Sequence, residues 1–225
     1  IMGKKIMILG ASILQLPAIK QAKAMGLYVI AVDINPNAIG FKVPNIKKEI
    51  ISTIDIPSVI EAAKKHHIDG IMTLATDMPM RTVAAVVKEL GLIGIQEETA
   101  LKATNKAKMR LALQKENVPI PKFFKVSNVK EYQNAVKKFN MPFIVKPVDS
   151  SGSRGIFEVI DINNNQLIKQ AYEYCRPFSR NGDVIVEEYM KGPEVSVETL
   201  SINGECHVIR SEEHTSELQS PGKIS

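Results

Sequence analysis

The chain has 225 residues, of which 44% are apolar and 24% are charged, and its formal net charge is +5. These values are ordinary for a globular protein, and no run approaches the ~20 apolar residues that would cross a bilayer. Tryptophan is absent and basic runs are short, so neither a nucleic-acid nor a membrane partner is expected. The mild positive charge suits small anions such as nucleotides.

The first hundred residues alternate between predicted strands and helices. Short apolar runs predict buried parallel strands, and apolar residues at helical spacing predict the helices between them. The strands are "KKIMILG", "YVIAVD" and "GIMTL", and the helices are "LPAIKQAKAMG", "IPSVIEAAKKHH" and "MPMRTVAAVVKELG". This alternation implies βαβ units. We therefore expect residues 1–103 to form a small, parallel, doubly wound α/β domain of Rossmann type.

The second region, residues 104–209, is predicted to be α+β with mixed sheets. A helix "NKAKMRLALQKENV" is broken by the prolines of "PIPKF". Strands are predicted at "KFFKV", "MPFIVKP", "GIFEVI" and "DVIVEEYM", with helices at "VKEYQNAVKKFN" and "NNQLIKQAYEYCRPF". The following segment alternates with period two around Asn203-Gly204, which predicts a hairpin.

The first turn raises the alternative of a dinucleotide site. Such a site requires G-x-G-x-x-G, but only Gly10 fits, because Ser12 and Gln15 replace the other two glycines. Asp33 lies where a ribose-binding acid would lie. An NAD(P)-dependent oxidoreductase therefore stays an alternative with weak support. Asp77, after the third strand, predicts either a substrate contact or a helix N-cap.

The stretch "VKPVDSSGSRGI", residues 145–156, suggests a phosphate-binding loop. Its glycines permit positive φ, and successive backbone N–H groups can surround an anion. Arg154 adds a fork of donors suited to phosphate, and Lys146 ends the preceding strand. The alternative is an ordinary solvated hairpin loop.

The wider order of these features resembles the ATP-grasp superfamily. Lys106 opens one helix, Lys146 ends a strand, and "VIVEEYMKGPEVSVE" runs into an acidic, glycine-containing hinge. The segment "TNKAKMRLALQKENVPIPKF" is similar to a pattern of the carbamoyl-phosphate synthase large subunit and related carboxylate–amine ligases. Asn105 and Asn117 stand where that pattern has an acid and a glycine. The first domain likewise resembles the pre-ATP-grasp domain.

The resemblance implies a role for twelve residues in binding ATP. Lys106 and Lys146 would contact the phosphates, and Glu194 would accept hydrogen bonds from the ribose. The flap over the phosphates would be Ser150, Ser151, Gly152, Ser153, Arg154 and Gly155, and the hinge at the adenine would be Glu187, Glu188 and Met190. No residue of the chain is assigned as catalytic or as a metal ligand.

The family's reaction implies ATP, Mg²⁺ and a small carboxylate, which is activated as an acyl phosphate for attack by an amine or another nucleophile. The metal ligands of the family lie beyond the hinge, where this chain offers only Glu198 and Glu205 before its tail. We therefore expect a C-terminally truncated fragment that is inactive alone. A purine-pathway carboxylase, an amino-acid ligase or a non-catalytic nucleotide-binding module would look similar. Homo-oligomerisation is possible in the full-length protein.

The tail "RSEEHTSELQSPGKIS" is interpreted separately from the rest. Written back into codons, "RSEEHTSELQS" resembles a common sequencing adapter. We therefore predict that residues 210–225 are a disordered tail of artefactual origin. Cys175 and Cys206 show neither metal-ligand spacing nor a disulfide framework, so we expect reduced thiols and a cytoplasmic location.

Overall fold

The computed structural model describes residues 3–214. The chain divides into two compact units, and the boundary between them in the sequence falls between Glu188 and Tyr189. The first unit contains two four-stranded sheets, and the second contains a two-stranded hairpin. Among the helices described, none is long and apolar enough to cross a membrane.

The first sheet is parallel throughout, as predicted. Its order is β3-β2-β1-β4, with β1 at Lys5–Leu9, β2 at Tyr28–Val32, β3 at Lys47–Glu49 and β4 at Gly70–Thr73. The helices are α1 at Leu16–Ala24, α2 at Ile56–His66, α3 at Pro79–Leu90 and α4 at Glu97–Thr104. Met7 and Leu9 of β1 share a core with residues of α2 and α3, whereas Ile8 packs with Ile19 of α1. Helices therefore cover both faces of the sheet, and the predicted doubly wound layer is confirmed.

Three elements of this layer were not predicted. Strand β3 has the sequence "KKE" and lies at the edge of the sheet, so it lacks an apolar run. Helix α4 buries only Ala100 and has no apolar stripe. The segment predicted as a loop at "NPNAIG" runs into a 3₁₀ turn, Ile39–Lys42. Each escaped prediction because apolar periodicity is weak in short or solvated elements.

The second sheet is antiparallel throughout rather than mixed, which corrects the expectation. Its order is β5-β8-β6-β7, with β5 at Phe123–Val126, β6 at Phe143–Pro147, β7 at Phe157–Val159 and β8 at Val184–Glu188. Helices α5 at Lys106–Lys115, α6 at Val129–Val136 and α7 at Asn165–Cys175 accompany it, and a 3₁₀ turn, Arg176–Phe178, follows α7. Each helix begins after an asparagine whose side chain accepts from a backbone N–H three residues on, namely Asn105, Asn128 and Asn164.

Each sheet has its own apolar core, although both belong to the first unit. The core of the second sheet joins strand residues such as Val145 and Val186 to Tyr132 of α6 and Tyr172 of α7. The expected boundary between residues 103 and 104 falls at the end of α4, where the chain passes from one sheet to the other. We keep it as the proposed domain boundary, because no residue is shared between the two sets of core residues.

Both cysteines are free thiols. Cys175 is buried in the second core, where its Sγ donates to the backbone oxygen of Val145 at 3.1 Å. Burial raises the pKa of this thiol to about 12, so it behaves as a packing residue. Cys206 is exposed.

The second unit is the predicted hairpin, with β9 at Glu194–Ile202 and β10 at Glu205–His214. Asn203 and Gly204 form its turn with φ values of 51° and 86°, as a type I′ turn requires. Residues 210–214 pair with β9, so the predicted disorder is wrong for these five residues. Residues 215–225 lie outside the described part of the chain. The artefactual origin of the tail stays a prediction.

The hairpin displays apolar side chains on both of its faces. At least half of the residue surface is exposed at Val195, Val197, Leu200, Ile202, Val208 and Ile209. A two-stranded hairpin is marginally stable by itself in water. Exposed apolar strands of this kind promote association between chains.

We expect the 225-residue chain to self-associate through this hairpin. The double substitution Val197→Lys/Leu200→Lys removes one apolar residue from each face, and should weaken the association constant by about tenfold or more. Light scattering after size-exclusion chromatography, over a range of concentrations, measures the effect. Ile93→Lys is the control, because Ile93 is a fully exposed isoleucine of the first unit. A parent protein that stays monomeric at all concentrations would contradict the prediction.

Candidate active site

A cavity of about 270 Å³ lies where the start of α5 meets the end of β6. Its polar lining consists of Asp77, Thr104, Lys106, Arg110, Lys146, Asp149 and Ser150. Asp77 comes from the loop after β4 of the first sheet, and Lys106 and Arg110 come from α5. Three cations and two carboxylates therefore converge here from both halves of the first unit.

Strand alternation places the charged groups on one face of the second sheet. In β8, Val184 and Val186 point into the core under α6 and α7, so Ile185 and Glu187 point to the opposite face. In β6, Val145 belongs to that same core and Lys146 to the opposite face. Ile185 packs there with Ala107 of α5. Lys146 and Glu187 thus share the face that α5 covers.

Glu187 is the centre of a buried ion-pair cluster. Its Oε1 accepts from Arg110 Nε at 2.7 Å, and its Oε2 lies 3.3 Å from Arg110 Nη2 and 2.5 Å from Lys146 Nζ. Only 3% of Glu187 is exposed. Burial acts to raise the pKa of this carboxyl, but hydrogen bonds and positive charge from Arg110 and Lys146 outweigh burial, and the pKa is lowered. We call these three residues the Glu187 cluster.

The lowered pKa predicts how stability depends on pH. A carboxyl whose pKa is lower in the folded state contributes stability above its unfolded value, about 4.3, and loses it as the pH falls through the folded value. The difference in unfolding free energy between the parent protein and Glu187→Gln should therefore be largest above about pH 5 and shrink in more acid solution. Urea titrations between pH 3 and pH 7 measure it. A difference that grows on acidification would contradict this prediction.

Lys106 is the second lysine of the cavity. Its backbone N–H donates to the oxygen of Val148 at 2.7 Å, and its Nζ donates to the oxygen of Ser150. Burial, together with repulsion from Lys146, lowers the pKa of Lys106, against the attraction of Asp77, Asp149 and Glu187. Within residues 3–214 no carboxylate forms an ion pair with Lys106, so an anion entering the cavity would relieve this repulsion.

The predicted flap is the connection between β6 and β7. Ser150 lines the cavity, whereas Gly152, Ser153 and Arg154 are exposed. Arg154 Nε donates to the oxygen of Ser151 at 3.1 Å, which keeps the guanidinium within the loop. Gly152, Ser153 and Gly155 have positive φ. Of the predicted flap, the structure thus brings only Ser150 to the two lysines.

Gly155 anchors the end of the flap. Its φ is +73°, and a Cβ there would lie 2.7 Å from the ring of Phe178. Gly155→Ala should cost roughly 2–4 kcal/mol, because strain at positive φ adds to overpacking. Gly152→Ala is the matched control: its φ is +68° and its Cβ would meet nothing within 4 Å, so only the ~1 kcal/mol backbone cost is expected. Denaturant unfolding measures both variants, and equal losses would count against the packing argument.

The remaining predicted residues lie at or beyond the end of β8. Glu188 is the last residue of β8, where its backbone N–H donates to the oxygen of Lys122 at 2.9 Å and its Oε2 accepts from the Lys122 N–H at 3.2 Å. Met190 and Glu194 are exposed residues of the second unit. Glu187 was predicted as part of an adenine hinge, but its side chain forms ion pairs with Arg110 and Lys146.

The sequence did not point to two members of the cavity, Arg110 and Asp149. Arg110 was not distinguished from other charged residues of α5, because its partner is 77 positions away. Asp149 lay within the quoted loop without a role. Asp77 was predicted as a substrate contact or an N-cap; α3 instead follows Met78 without a side-chain cap, while Asp77 lines the cavity.

Magnesium, which the family resemblance implies, needs several oxygen ligands close together. Among residues 3–214 no group of three or more His, Cys, Asp and Glu residues is placed to hold a metal ion. Asp77 and Asp149 are the carboxylates that line the cavity. The described residues therefore do not build a complete magnesium site.

The turn between β1 and α1 is held by hydrogen bonds from its own side chains. The Oε1 atom of Gln15 accepts from Ser12 N at 3.1 Å and Ser12 Oγ at 2.6 Å, and its Nε2 donates to the Leu74 oxygen at 2.8 Å. A Cβ on Gly10 would lie 2.8 Å from Gln15 Cδ, so Gln15 fills the space over that glycine. Asp33 accepts from the backbone N–H of Ala11 at 2.8 Å. These contacts occupy the groups that a dinucleotide would use.

Comparison with known proteins defines the class. The ATP-grasp domain family matches residues 103–221, just over half of the chain. Phosphoribosylamine–glycine ligase of Pyrococcus furiosus is 28% identical over 182 residues, which cover 78% of this chain and 40% of that protein. Formate-dependent phosphoribosylglycinamide formyltransferase of Burkholderia cenocepacia is 30% identical over 192 residues, or 83% of this chain and 46% of that protein.

The chain belongs to the ATP-grasp family. The fold is also that of the crystal structure of L-amino acid ligase from Bacillus licheniformis, with a TM-score of 0.78 and 22% identity, over 100% of this chain and 53% of that one. The predicted resemblance to the ATP-grasp superfamily and its ligases is therefore confirmed. The chain spans less than half the length of the two curated relatives, which is consistent with the predicted fragment.

Proposed function

We propose that this chain is the ATP-binding part of a ligase that activates a small carboxylate as an acyl phosphate. The observation that carries the proposal is the convergence of Lys106 and Lys146 on one cavity, with Lys146 held by the buried Glu187. Two cations at the end of a glycine-containing loop form a site for adjacent phosphate groups. Membership of the ATP-grasp family supports a nucleotide as their source.

The residues of the cavity would act by positioning and by electrostatics. Lys146, held by Glu187, presents a fixed positive charge to the phosphates, and Lys106 presents a second one that Glu187 does not neutralise by direct contact. Both charges become more effective as negative charge develops on the transferred phosphoryl group. Residues 150–155 would close over the phosphates, and Glu188, Met190 and Glu194 would contact the nucleoside.

The chemistry proposed for the full-length protein has two steps. A carboxylate oxygen of the substrate attacks the γ-phosphorus of ATP, which forms an acyl phosphate and releases ADP. The amine or another nucleophile then attacks the carbonyl carbon and expels inorganic phosphate, and a proton leaves the nucleophile. A Mg²⁺ ion would neutralise charge on the phosphates, and we propose that its ligands lie outside the described residues.

The relatives' names favour a carboxylate and an amine as substrates. One names glycine and phosphoribosylamine, another formate and phosphoribosylglycinamide, and the structural neighbour is an L-amino acid ligase. We propose a small carboxylate of this kind. We also keep the cytoplasm as the proposed location and a homo-oligomer as a possible state of the full-length protein.

Titration of the 225-residue chain with ATP and, separately, with NADH tests the proposal. We expect weak binding of ATP, weaker binding of NADH, and no Mg²⁺-dependent release of ADP. Tighter binding of NADH would favour the oxidoreductase alternative, which the contacts of Gln15 over Gly10 disfavour. Turnover by the 225-residue chain would contradict the proposal that the fragment is inactive alone. A gene whose reading frame ends without further strands that carry acidic residues would favour a non-catalytic nucleotide-binding module.

A further inference from the structure

A second and larger cavity lies on the other face of the second sheet, between α6 and α7. Its volume is about 1330 Å³, above the ~300–1,000 Å³ of ordinary small-molecule sites. Its walls are formed by Tyr132 and Val136 of α6, by Ile168 and Tyr172 of α7, and by residues 176–177 and 179–182. We call this cavity the helix groove. None of the polar groups that line the nucleotide cavity borders it.

Two stacked tyrosines of the helix groove differ in their hydroxyl groups. The rings of Tyr132 and Tyr172 lie with their centroids 4.8 Å apart. The hydroxyl of Tyr132 donates to the oxygen of Ile168 at 2.8 Å. The hydroxyl of Tyr172 is buried, and among the described residues it has no hydrogen-bond partner. A buried hydroxyl without a partner is unfavourable, so this group would gain from an acceptor that enters the helix groove.

The rim of the helix groove is positively charged. Four cations border it, namely Lys137, Lys169, Arg176 and Arg180, against the single carboxylate of Glu173. Glu173 lies 3.7 Å from Lys169. In the described part of the chain, Lys137, Arg176 and Arg180 form no ion pair. An apolar wall that includes Val136, Phe139 and Ile168 faces this rim.

We propose that the helix groove binds a small organic anion with an aromatic or branched apolar body. The apolar body packs on the wall formed by Val136, Phe139 and Ile168. The anionic group is attracted to Lys137 and Arg176 at the rim. An acceptor atom of the ligand takes the hydrogen bond of Tyr172 after a small local shift that uncovers its hydroxyl. The helix groove shares no lining residue with the nucleotide cavity, although the backbone N–H of Arg180 at its rim donates to Asp149 Oδ1 of that cavity at 3.4 Å.

Binding of 2-naphthoate to the 225-residue protein tests this inference. Isothermal titration should give saturable binding to one site, about tenfold tighter than that of the neutral 2-naphthalenemethanol, because the carboxylate adds charge-assisted hydrogen bonds. ADP should not displace it, so loss of nucleotide binding would leave the result unchanged. Gln133→Trp should abolish binding, since Gln133 is an exposed residue of α6 that borders the groove. Absent binding, displacement by ADP, or full affinity in Gln133→Trp would overturn the proposal.

The two tyrosines supply a matched pair of variants. Tyr132→Phe loses the hydrogen bond to Ile168, so its melting temperature should fall. Tyr172→Phe removes an unpaired hydroxyl, so its melting temperature should hold or rise, while 2-naphthoate binds about three- to tenfold more weakly. Destabilisation of Tyr172→Phe equal to that of Tyr132→Phe, with unchanged affinity, would show that the hydroxyl already has a partner and would overturn its assigned role.

Discussion

Glu187→Gln should lower the unfolding free energy by about 3–5 kcal/mol, because the substitution leaves two partly buried cations without their counter-ion. For a unit of this size the melting temperature should fall by about 6–20 °C. The amide has nearly the shape of the carboxylate, so little of the effect comes from packing. Chemical and thermal unfolding of the purified chain measure it.

The neighbouring residue provides the control for this substitution. Glu188→Gln changes the same functional group one position along β8, where the carboxylate is partly exposed and accepts only from the backbone N–H of Lys122, and should alter stability by no more than about 0.5 kcal/mol. The double variant Glu187→Gln/Arg110→Met removes one of the stranded charges and should recover part of the loss. Equal stability of Glu187→Gln and the parent protein would show that the Glu187 cluster does not form.

Lys106→Met should affect activity and stability in opposite ways. In the full-length protein we expect kcat/KM for ATP to fall by about 10²–10³, the usual effect of removing one preorganised donor from a charge-stabilising site. Stability should be unchanged or slightly higher, because the substitution removes the repulsion between Lys106 and Lys146. Lys146→Met should lose activity and also stability, since Glu187 then keeps only Arg110.

Lys108→Met is the matched control for the lysines. Lys108 lies on α5 two residues after Lys106, but its side chain is exposed. Steady-state kinetics at several ATP concentrations, with thermal melts of each variant, separate the two effects. Unchanged kinetics in Lys106→Met would remove this lysine from the proposed nucleotide site, whereas a loss of activity in Lys108→Met would indicate a nonspecific effect of net charge.

Most of the fold could be predicted because its strands are buried and its helices are amphipathic. The strand at Tyr28–Val32 is a continuous apolar run, and the helix at Pro79–Leu90 has apolar residues at helical spacing. Strand β3 and helix α4 could not be predicted, since each buries too little apolar surface to leave a pattern.

The candidate site was predictable only where residues follow a local pattern. Lys106 and Lys146 were found from their order along the chain and from the glycine loop that follows Lys146. Arg110 and the partnership of Glu187 depend on how α5 packs over the second sheet, and no local pattern reports contacts over 77 positions. Asp77 was noticed at its strand end, but its place in the cavity required the loop after β4 to meet α5.

The difference between the two faces of β8 also favours one pairing register in the second sheet. Val186 and Glu187 are adjacent, yet one is packed among apolar side chains and the other among cations. A shift of the β8 register by one residue would exchange the positions of these two side chains. The carboxylate would then lie in the apolar core, and the valine would lie against Arg110 and Lys146. Both errors are costly, so the Glu187 cluster, which we propose to be part of a phosphate site, also favours the native register of β8.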